Sequence, residues 1–175
     1  KRQFFTRAAA ILVVPLLISS LFFSYLYYTT GRNVKTGASV VFAEISSMPG
    51  TITRLVLPDQ SVVWLNAGSR LVYPSVFDKK ERKVQLFGEG YFEVEADPEH
   101  PFSVSTSEGL RVIAYGTKFN VNAYDDEPFI EAVLEKGKID VIRNDERIRL
   151  EPNKQVVLNK ESGVFRVSAV NLDEK

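Results

Sequence analysis

The stretch GEGYFEVEADPEHPF, residues 88–102, contains the only histidine of the chain, His100, together with five carboxylates. Glu93 and Glu95 are two residues apart, which in a β-strand places both side chains on one face, about 6.6 Å apart. Glycoside hydrolysis uses a pair of carboxyl groups separated by about 5–9.5 Å. The chemistry to test first is therefore acid–base catalysis by this pair, with His100 as a further candidate base.

Strand geometry argues against catalysis by these acids. Side chains of one strand run roughly parallel, whereas the two acids of a glycosidase approach the sugar bond from opposite sides. Alternation directs Phe92, Val94 and Ala96 to a core and leaves Glu93 and Glu95 on a solvated face, where burial cannot raise the pKa of either acid. We therefore predict that residues 91–96 form a strand and not an active site.

His100 lies in the segment Asp97-Pro98-Glu99-His100-Pro101. The two prolines prevent the strand from continuing, so the segment is predicted to be a turn. The chain has no cysteine, which excludes a disulfide, a thiolate zinc site and a thiol nucleophile, and its single histidine excludes a multi-histidine metal site. We predict no catalytic residue, no metal ligand and no cofactor, so the protein is not expected to be an enzyme.

Two further charged segments are predicted to be solvated connections without a functional site. Asp125-Asp126-Glu127 lacks the alternating ligands and the glycine of a calcium loop, and a solvated turn is predicted. The segment 78–83 mixes both signs of charge and is predicted to be a solvated loop, with a partner contact as the alternative. The 22 basic and 22 acidic side chains balance, so the sequence lacks the basic excess of a nucleic-acid binder.

Residues 8–28, AAAILVVPLLISSLFFSYLYY, form an uncharged run between Arg7 and Arg32. A membrane-spanning helix needs about 20 mostly apolar residues, and three tyrosines near one end suit a membrane interface. We predict a transmembrane helix over residues 8–28. A cleaved signal peptide, with an apolar stretch of about 7–15 residues, and a buried core helix are the alternatives.

The flanking charges and the interior of this run give weaker indications. Cationic residues on both sides favour a cytoplasmic N-terminus only slightly: Lys1, Arg2 and Arg7 before the run, Arg32 and Lys35 after it. Pro15 and the pair Ser19-Ser20 predict a kink. The kink is either a tolerated irregularity or a point where an intramembrane protease could unwind the helix.

The periodicity changes after Gly31, and residues 29–38 are predicted to be a linker. Beyond it, short segments rich in β-branched and aromatic residues are separated by turn-forming residues, with no convincing helix. The predicted fold is all-β: a short-stranded antiparallel sandwich, a barrel or a solenoid-like domain, preceded by one transmembrane helix. The predicted strands are 40–45, 51–57, 62–65, 71–73, 82–87, 91–96, 102–106, 110–114, 118–124, 129–135, 138–143, 147–150, 155–158 and 164–167.

Two stretches of this region resemble each other, residues 57–66 (LPDQSVVWLN) and 150–159 (LEPNKQVVLN). Shared hairpin chemistry, in which proline fixes φ and Asp or Asn caps the turn, is the favoured explanation. A true repeat, which would indicate a solenoid, is the alternative. Trp64 is predicted to be core or half-buried, and Gly116-Thr117 to form a bulge or a turn.

Four ordered motifs then resemble the FecR-type anti-sigma and sigma-regulator proteins: LVLPDQSVVWLNAGSRLVYPSVF, KVQLFGEGYFEVEADPEHPFSVST, VIAYGTKFNVNAYDD and EAVLEKGKIDV. The likeness covers roughly residues 51–158. Gln60 stands where the family has a turn glycine, so a positive φ there would be strained. Gly90 replaces an alanine, and Asn153 stands where Pro-Gly is common, although asparagine tolerates the left-handed region.

The resemblance implies a single-pass inner-membrane regulator. It assigns residues 1–7 to a cytoplasmic stub, 39–170 to a periplasmic FecR-like β domain and 171–175 to the start of a C-terminal segment. Implied partners are an extracytoplasmic-function sigma factor, bound through a cytoplasmic segment outside this sequence, a TonB-dependent outer-membrane transporter, membrane lipid, and intramembrane and periplasmic proteases. Direct nucleic-acid binding is not implied. Docking of a partner strand on an exposed sheet edge is a further hypothesis.

Two other classes of function are open at this point. A membrane-tethered carbohydrate-binding or envelope assembly module would need a stripe of exposed aromatic side chains, for which Trp64, Tyr91 and Tyr124 are candidates. An envelope enzyme would need a convergent polar site, which the sequence does not provide.

Overall fold

The computed structural model describes residues 15–26 and 40–170. The chain divides into two compact units with the boundary between Ser39 and Val40. The predicted cytoplasmic stub, the linker, the C-terminal residues 171–175 and residues 8–14 and 27–28 of the predicted span lie outside the described residues. The first unit contributes a helix and the second a β domain.

Residues 15–26 are helical, and all of their side chains are exposed. Leu16, Leu21 and Phe23 are 69%, 71% and 68% exposed, although they point in different directions around the helix. A helix that is apolar on all sides is typical of a segment surrounded by hydrocarbon or by other protein. Among the described residues, no helix has both the length and the hydropathy to cross a membrane. The turn preceding Pro15, where the predicted kink would lie, is outside the described residues.

The β domain contains thirteen strands within residues 40–170. In chain order they are β1 Phe42–Ser46, β2 Thr53–Val56, β3 Val62–Leu65, β4 Arg70–Pro74, β5 Arg82–Glu93, β6 Phe102–Ser105, β7 Arg111–Ala114, β8 Lys118–Ala123, β9 Phe129–Lys136, β10 Ile139–Arg143, β11 Glu146–Leu150, β12 Lys154–Asn159 and β13 Phe165–Ala169.

Strand β5 belongs to both halves of a single sheet. Its first part pairs with β4 and β6 in half A, which has the order β11-β10-β7-β6-β5-β4-β1. Its second part pairs with β3 and β8 in half B, which has the order β2-β3-β5-β8-β9-β12-β13. A change in the direction of β5 therefore sets the position of one half relative to the other.

Gly88 marks the point where β5 changes partners. Its φ is +86°, and a Cβ there would lie 2.5 Å from Ser69 Oγ and 2.9 Å from the Tyr124 ring. The next amide, of Glu89, donates a hydrogen bond to Ser69 Oγ at 2.8 Å. Only glycine satisfies both the backbone conformation and the close approach, so this residue permits the strand to bend.

One hydrophobic core joins the two halves. The ring of Phe92, in half B, stacks on Phe119 at 5.1 Å and contacts Phe102 of half A at 6.2 Å between centroids. All three rings are fully buried. The all-β prediction is confirmed. Of the expected architectures, a sandwich, a barrel or a solenoid, the observed curled half-barrel is most similar to the barrel.

Three details of the strand prediction are wrong. The segments 82–87 and 91–96 form the single strand β5, because the glycines between them change the pairing partner without ending the strand. Ala96 is exposed, since β5 ends at Glu93. The β5–β6 pair is parallel, because the connection 94–101 returns the chain to the beginning of β5, whereas the other pairs among the described strands are antiparallel.

The two similar stretches serve different connections. Residues 57–61 close the β2–β3 hairpin, where the Leu57 amide donates to the Ser61 carbonyl at 2.8 Å. The turn at Pro152-Asn153 instead connects β11 of half A with β12 of half B, which are not paired. Hairpin chemistry therefore explains the first stretch only, and the strand order does not follow a repeat. The predicted turn at Gly116 is present, as a bend with φ +110°.

The turns at Gln60 and Asn153 each contain a residue in the left-handed region. These are two of the positions at which the sequence departs from the family pattern. The φ angles are +71° at Gln60 and +61° at Asn153. A residue with a Cβ occupies this region at a cost of about 1–2 kcal/mol, from which asparagine is partly exempt. Gln60 is therefore a site of local backbone strain.

Replacing Gln60 with glycine is expected to raise the free energy of unfolding by about 0.5–1 kcal/mol, since relief of strain exceeds the added entropy of the unfolded chain. Urea unfolding of the β domain measures this change. The matched control is Asn153→Gly, for which a smaller gain is expected. Equal gains in the two variants, or a loss in Gln60→Gly, would contradict the strain at Gln60.

Candidate functional site

Arg82, the first residue of β5, is the most buried cationic side chain in the described part of the chain, at 4% exposed. It has the same parity along β5 as the core residues Val84 and Leu86, so the strand directs it inward. A buried guanidinium needs partners for its N–H groups, because an unpaired charge in the interior is strongly destabilising. The surrounding loops provide those partners.

The Arg82 guanidinium donates hydrogen bonds to three acceptors, which come from two separate segments. It donates to Asp59 Oδ2 at 2.6 Å, to the His100 carbonyl at 2.8 Å and to the Glu95 carbonyl at 3.1 Å. The guanidinium also lies 5.6 Å from the centre of the Phe102 ring. One side chain thus joins the start of β5, the β2–β3 turn and the connection that follows β5.

The carboxylate of Asp59 extends this network. It accepts hydrogen bonds from the Ser61 hydroxyl at 2.7 Å and the Ser61 amide at 3.1 Å. Ser61 Oγ in turn accepts from the Glu95 amide at 3.1 Å. We refer to Arg82, Asp59, Ser61 and their two carbonyl partners as the Arg82 junction.

A cavity of about 460 Å³ lies beside the Arg82 junction. It brings together three motifs that are distant in the sequence: the Leu-Pro-Asp-Gln turn, the mixed-charge loop and the Pro-Glu-His-Pro turn. The lining residues are Pro58, Asp59, Ser75, Val76, Phe77, Asp78, Lys79, Arg82, Asp97 and His100. The lining therefore combines apolar and charged side chains from these three motifs.

His100 has a partner that the sequence reasoning did not assign. Its Nδ1 lies 2.8 Å from Asp97 Oδ2, and hydrogen bonding to this ring lowers the pKa of Asp97. Asp97 also accepts the backbone amides of Glu99 and His100. The predicted turn is confirmed, and the histidine caps it.

The acidic side chains at the cavity already have partners within the fold. The acids beside the cavity are engaged, Asp59 by Arg82 and Asp97 by His100. Within residues 15–26 and 40–170, no cluster of three or more His, Asp or Glu could hold a metal ion. The glycosidase pair is not assembled either, since Glu93 binds Lys118 at 2.7 Å while Glu95 is exposed.

The outer face of half B carries hydrogen-bonded polar groups where an open row of acids was expected. Glu89 accepts from the Asn66 amide at 2.6 Å and from the Asn120 amide at 2.8 Å. The Tyr91 hydroxyl donates to Glu135 Oε2 at 2.7 Å, and burial together with this carboxylate raises the pKa of Tyr91. The acids on this face are therefore structural partners.

Two of the three candidate aromatic side chains lie together on this face. Trp64 and Tyr91 are cross-strand neighbours with ring centroids 5.6 Å apart, and the Arg54 guanidinium lies 5.6 Å from the Trp64 ring. Trp64 is half-buried, as predicted. Tyr124 serves a different purpose, because its hydroxyl donates to the Ala67 carbonyl at 2.7 Å beside Gly88.

The acidic turn at residues 125–127 is held by a lysine. Lys160 Nζ donates to the carbonyls of Tyr124 at 2.6 Å and Asp125 at 3.2 Å. The Asp125 carboxylate accepts from the Ser107 hydroxyl at 2.7 Å. In the loop at 78–83, Asp78 accepts the Lys80 amide, and Glu81 pairs with Lys83. The turn at 125–127 has the structural role predicted for it, whereas the segment 78–83 is a solvated loop only in part, because Arg82 is buried and begins β5.

Half A contains a second buried ion pair, which the sequence reasoning missed. Asp140 is 1% exposed and binds the guanidinium groups of Arg149, at 2.8 Å, and Arg147. Hydrogen bonds from Arg149 and then Arg147 lower the pKa of Asp140 to about 2. The two arginines remain largely exposed, so this pair closes the edge of half A with positive charge.

For Arg82 the sequence did contain a signal. Arg82, Val84 and Leu86 are spaced by two residues in a predicted strand, so the three side chains are expected on the same inward face. Asp140 offered no such signal, because it lies between the core residues Ile139 and Val141 on the opposite face. Its burial depends on arginines from a neighbouring strand. The register between β10 and β11 decides whether Asp140 contacts these arginines. Register depends on the pairing of whole strands and not on the residues next to Asp140 in the sequence.

Comparison with known proteins places these features in context. Residues 43–140 match the family model described as FecR protein. Two crystal structures of a proposed anti-sigma factor from Parabacteroides distasonis, at 2.50 Å and 1.65 Å resolution, superpose with TM-scores of 0.72 and 0.71. Both are 34% identical in sequence to this chain, and the two matches cover 75% and 74% of this chain, respectively. None of the curated proteins matches the chain.

The chain spans only part of these relatives, 61% and 60% of their respective lengths. The likeness therefore concerns a shared β domain. The family match includes the whole Arg82 junction and Asp140, and it ends before β11, which supplies Arg147 and Arg149.

Replacing Arg82 with alanine is expected to lower the free energy of unfolding by about 3–5 kcal/mol, because Asp59 would remain buried without its cation. Arg82→Lys is expected to recover only part of the loss, since an ammonium group cannot reach three acceptors with the geometry of a guanidinium. Urea unfolding of the β domain measures both variants.

The control for this series is Lys154→Ala, which removes an exposed ion pair with Glu151. Exposed pairs contribute at most about 1 kcal/mol. A loss in Arg82→Ala no larger than that of the control would show that the Arg82 junction does not hold the loops.

Asp140 is expected to make stability depend on pH in the acidic range. Its folded-state pKa of about 2 lies below the unfolded value, so the carboxylate stabilises the fold at neutral pH and this contribution falls between about pH 4 and pH 2. Asp140→Asn should be less stable than the unmodified domain by on the order of 2 kcal/mol at pH 7.

The stability difference should vanish as the pH approaches 2. Thermal or urea unfolding at a series of pH values tests this dependence, with Asp125→Asn as the control at an exposed acid. A difference between Asp140→Asn and the unmodified domain that stays constant from pH 7 to pH 2 would refute the assignment.

Proposed function

Since this chain belongs to the FecR family, we propose that it is the sensory part of a sigma regulator, an anti-sigma protein that controls an extracytoplasmic-function sigma factor. The observation that most directly supports this proposal is the family match over residues 43–140. The 34% identity and TM-score of 0.72 to a proposed anti-sigma factor support the same role. The proposed signal source is a TonB-dependent transporter in the outer membrane.

The proposed location is the inner membrane, crossed once, with the β domain in the periplasm. Support comes from the uncharged run at residues 8–28 and from the exposed apolar side chains all around the helix at 15–26. A helix with this composition needs a non-aqueous environment. Membrane lipid, an intramembrane protease and a periplasmic protease are therefore proposed partners, with the proteases transmitting the signal by cleavage.

A non-catalytic role accords with the state of the polar groups. The acids at the cavity are hydrogen-bonded within the fold, and the pKa values shifted furthest belong to structural pairs, Tyr91 with Glu135 and Asp140 with two arginines. Active sites instead tend to hold groups poised near the working pH. We propose that the β domain transmits a signal through its position, stability or access to proteases.

A second candidate function is a membrane-tethered carbohydrate-binding or envelope assembly module. The favouring observation is the pair Trp64 and Tyr91 on one sheet face, next to the carboxylates Glu89 and Glu135. Aromatic faces and hydrogen-bond acceptors together suit a sugar. The rings are half-buried and the acids already have donors, so this function has the weaker support.

Co-purification of the full-length protein, with its cytoplasmic segment, from detergent-solubilised membranes tests the first function. A sigma factor should be recovered in stoichiometric amount, and sigma-dependent transcription should change when the gene is deleted. The protein should fractionate with the inner membrane.

Failure to recover any sigma factor, with transcription unchanged by the deletion, would contradict the proposed role. Binding of a soluble glycan under those conditions, detected through the fluorescence of the single tryptophan, would favour the second function.

A further inference from the structure

The last strand, β13, has an open edge. Among the described residues it pairs only with β12. The bonds that flank this ladder, from Asn159 N to the Val164 carbonyl at 3.1 Å and from Val170 N to the Asn153 carbonyl at 2.9 Å, show that even-numbered residues bond to β12. Antiparallel alternation then directs the main-chain groups of Phe165, Val167 and Ala169 away from the sheet.

The side chains of β13 are self-complementary. We propose that β13 pairs antiparallel with β13 of a second copy of this chain, across a twofold axis at Val167. In this register Phe165 lies opposite Ala169, a large side chain beside a small one, and Arg166 lies opposite Ser168, which avoids opposed like charges. The register uses all three outward-facing residues in hydrogen-bonded pairs.

Three large apolar side chains at or near β13 are exposed to solvent. Phe129, Val164 and Val167 are 46%, 53% and 51% exposed. Together with Val157 they form the apolar half of the lining of a concavity of about 780 Å³ alongside the strand, the other half being Asn159, Ser162, Arg166 and Ser168. An apolar edge of this kind favours strand pairing, whereas charged side chains protect an edge from it.

Edge strand β11 shows that contrast within the same domain. It carries Arg147 and Arg149, both exposed and held in place by Asp140. Two copies meeting at β11 would bring these like charges together. Strand β13 has a single charged side chain, Arg166, and that residue does not face its own copy in the proposed register.

Pairing of two five-residue strands alone forms a small interface, below the approximately 1,200 Å² of stable complexes. Confinement to one membrane would raise the effective concentration of the copies, so the pairing should be strongest in the lipid-bound protein. The geometry of the edge does not depend on the proposed signalling role. Whether the protein associates with vesicles is therefore measured separately from whether two copies pair.

Cross-linking of the full chain reconstituted in phospholipid vesicles tests the pairing. The sequence has no cysteine, so Val167→Cys introduces a unique thiol. Paired residues at this position would be about 5.5 Å apart between Cα atoms, within reach of a short bismaleimide. The matched control is Val56→Cys, on edge strand β2, where the valine is 48% exposed against 51% for Val167.

We expect at least a tenfold higher yield of cross-linked dimer from Val167→Cys than from Val56→Cys. Adding Ala169→Pro, which removes an outward-facing N–H and leaves the β12 ladder intact, should return the yield to the control level. An unchanged urea midpoint confirms that the Ala169→Pro domain is folded.

Equal yields from the two cysteine positions, or a Val167→Cys dimer insensitive to Ala169→Pro, would overturn the proposal. Slow hydrogen exchange at the amides of Phe165, Val167 and Ala169 in a protein that does not cross-link would also overturn it. That result would mean that a different polypeptide segment covers β13.

Discussion

The guanidinium of Arg82 joins the two ends of one bent strand. Arg82 begins β5 and its side chain reaches the carbonyl of Glu95, two residues beyond the last residue of the strand. In a straight strand these residues would be separated by about 43 Å. The bend at Gly88 removes that separation, and the Arg82 junction holds the result in place. The curl of the whole sheet depends on this closure, because β5 belongs to both halves.

This closure connects separate segments of the chain at one side chain. Segments from three parts of the sequence meet at Arg82 beside a cavity. The core, by contrast, is made of fully buried aromatic and aliphatic side chains shared between the halves. Two buried ionic sites, at Arg82 and at Asp140, supplement this core.

Much of the fold could be predicted because the responsible signals are local. Strand positions, the turn at Asp97–Pro101 and the left-handed residues Gln60 and Asn153 follow from alternation, proline and turn chemistry. The parallel β5–β6 pair, the continuity of β5 and the burial of Asp140 could not be predicted, because each depends on contacts between distant segments. The partner of His100 is different, because Asp97 is only three residues away and the local turn chemistry could have indicated it.

The most direct test of the closure is the distance between the two ends of β5 in solution. Spin labels can be placed at Lys83 and Glu95, which are exposed and lie at or near the two ends of β5, and the absence of cysteine makes the labelling specific. Pulsed electron–electron double resonance should give one short, narrow distance distribution in the otherwise unmodified domain, and a longer and broader one after Arg82→Ala. The same narrow distribution in the Arg82→Ala protein would show that other contacts hold the strand bent, and would contradict the closure of the sheet by Arg82.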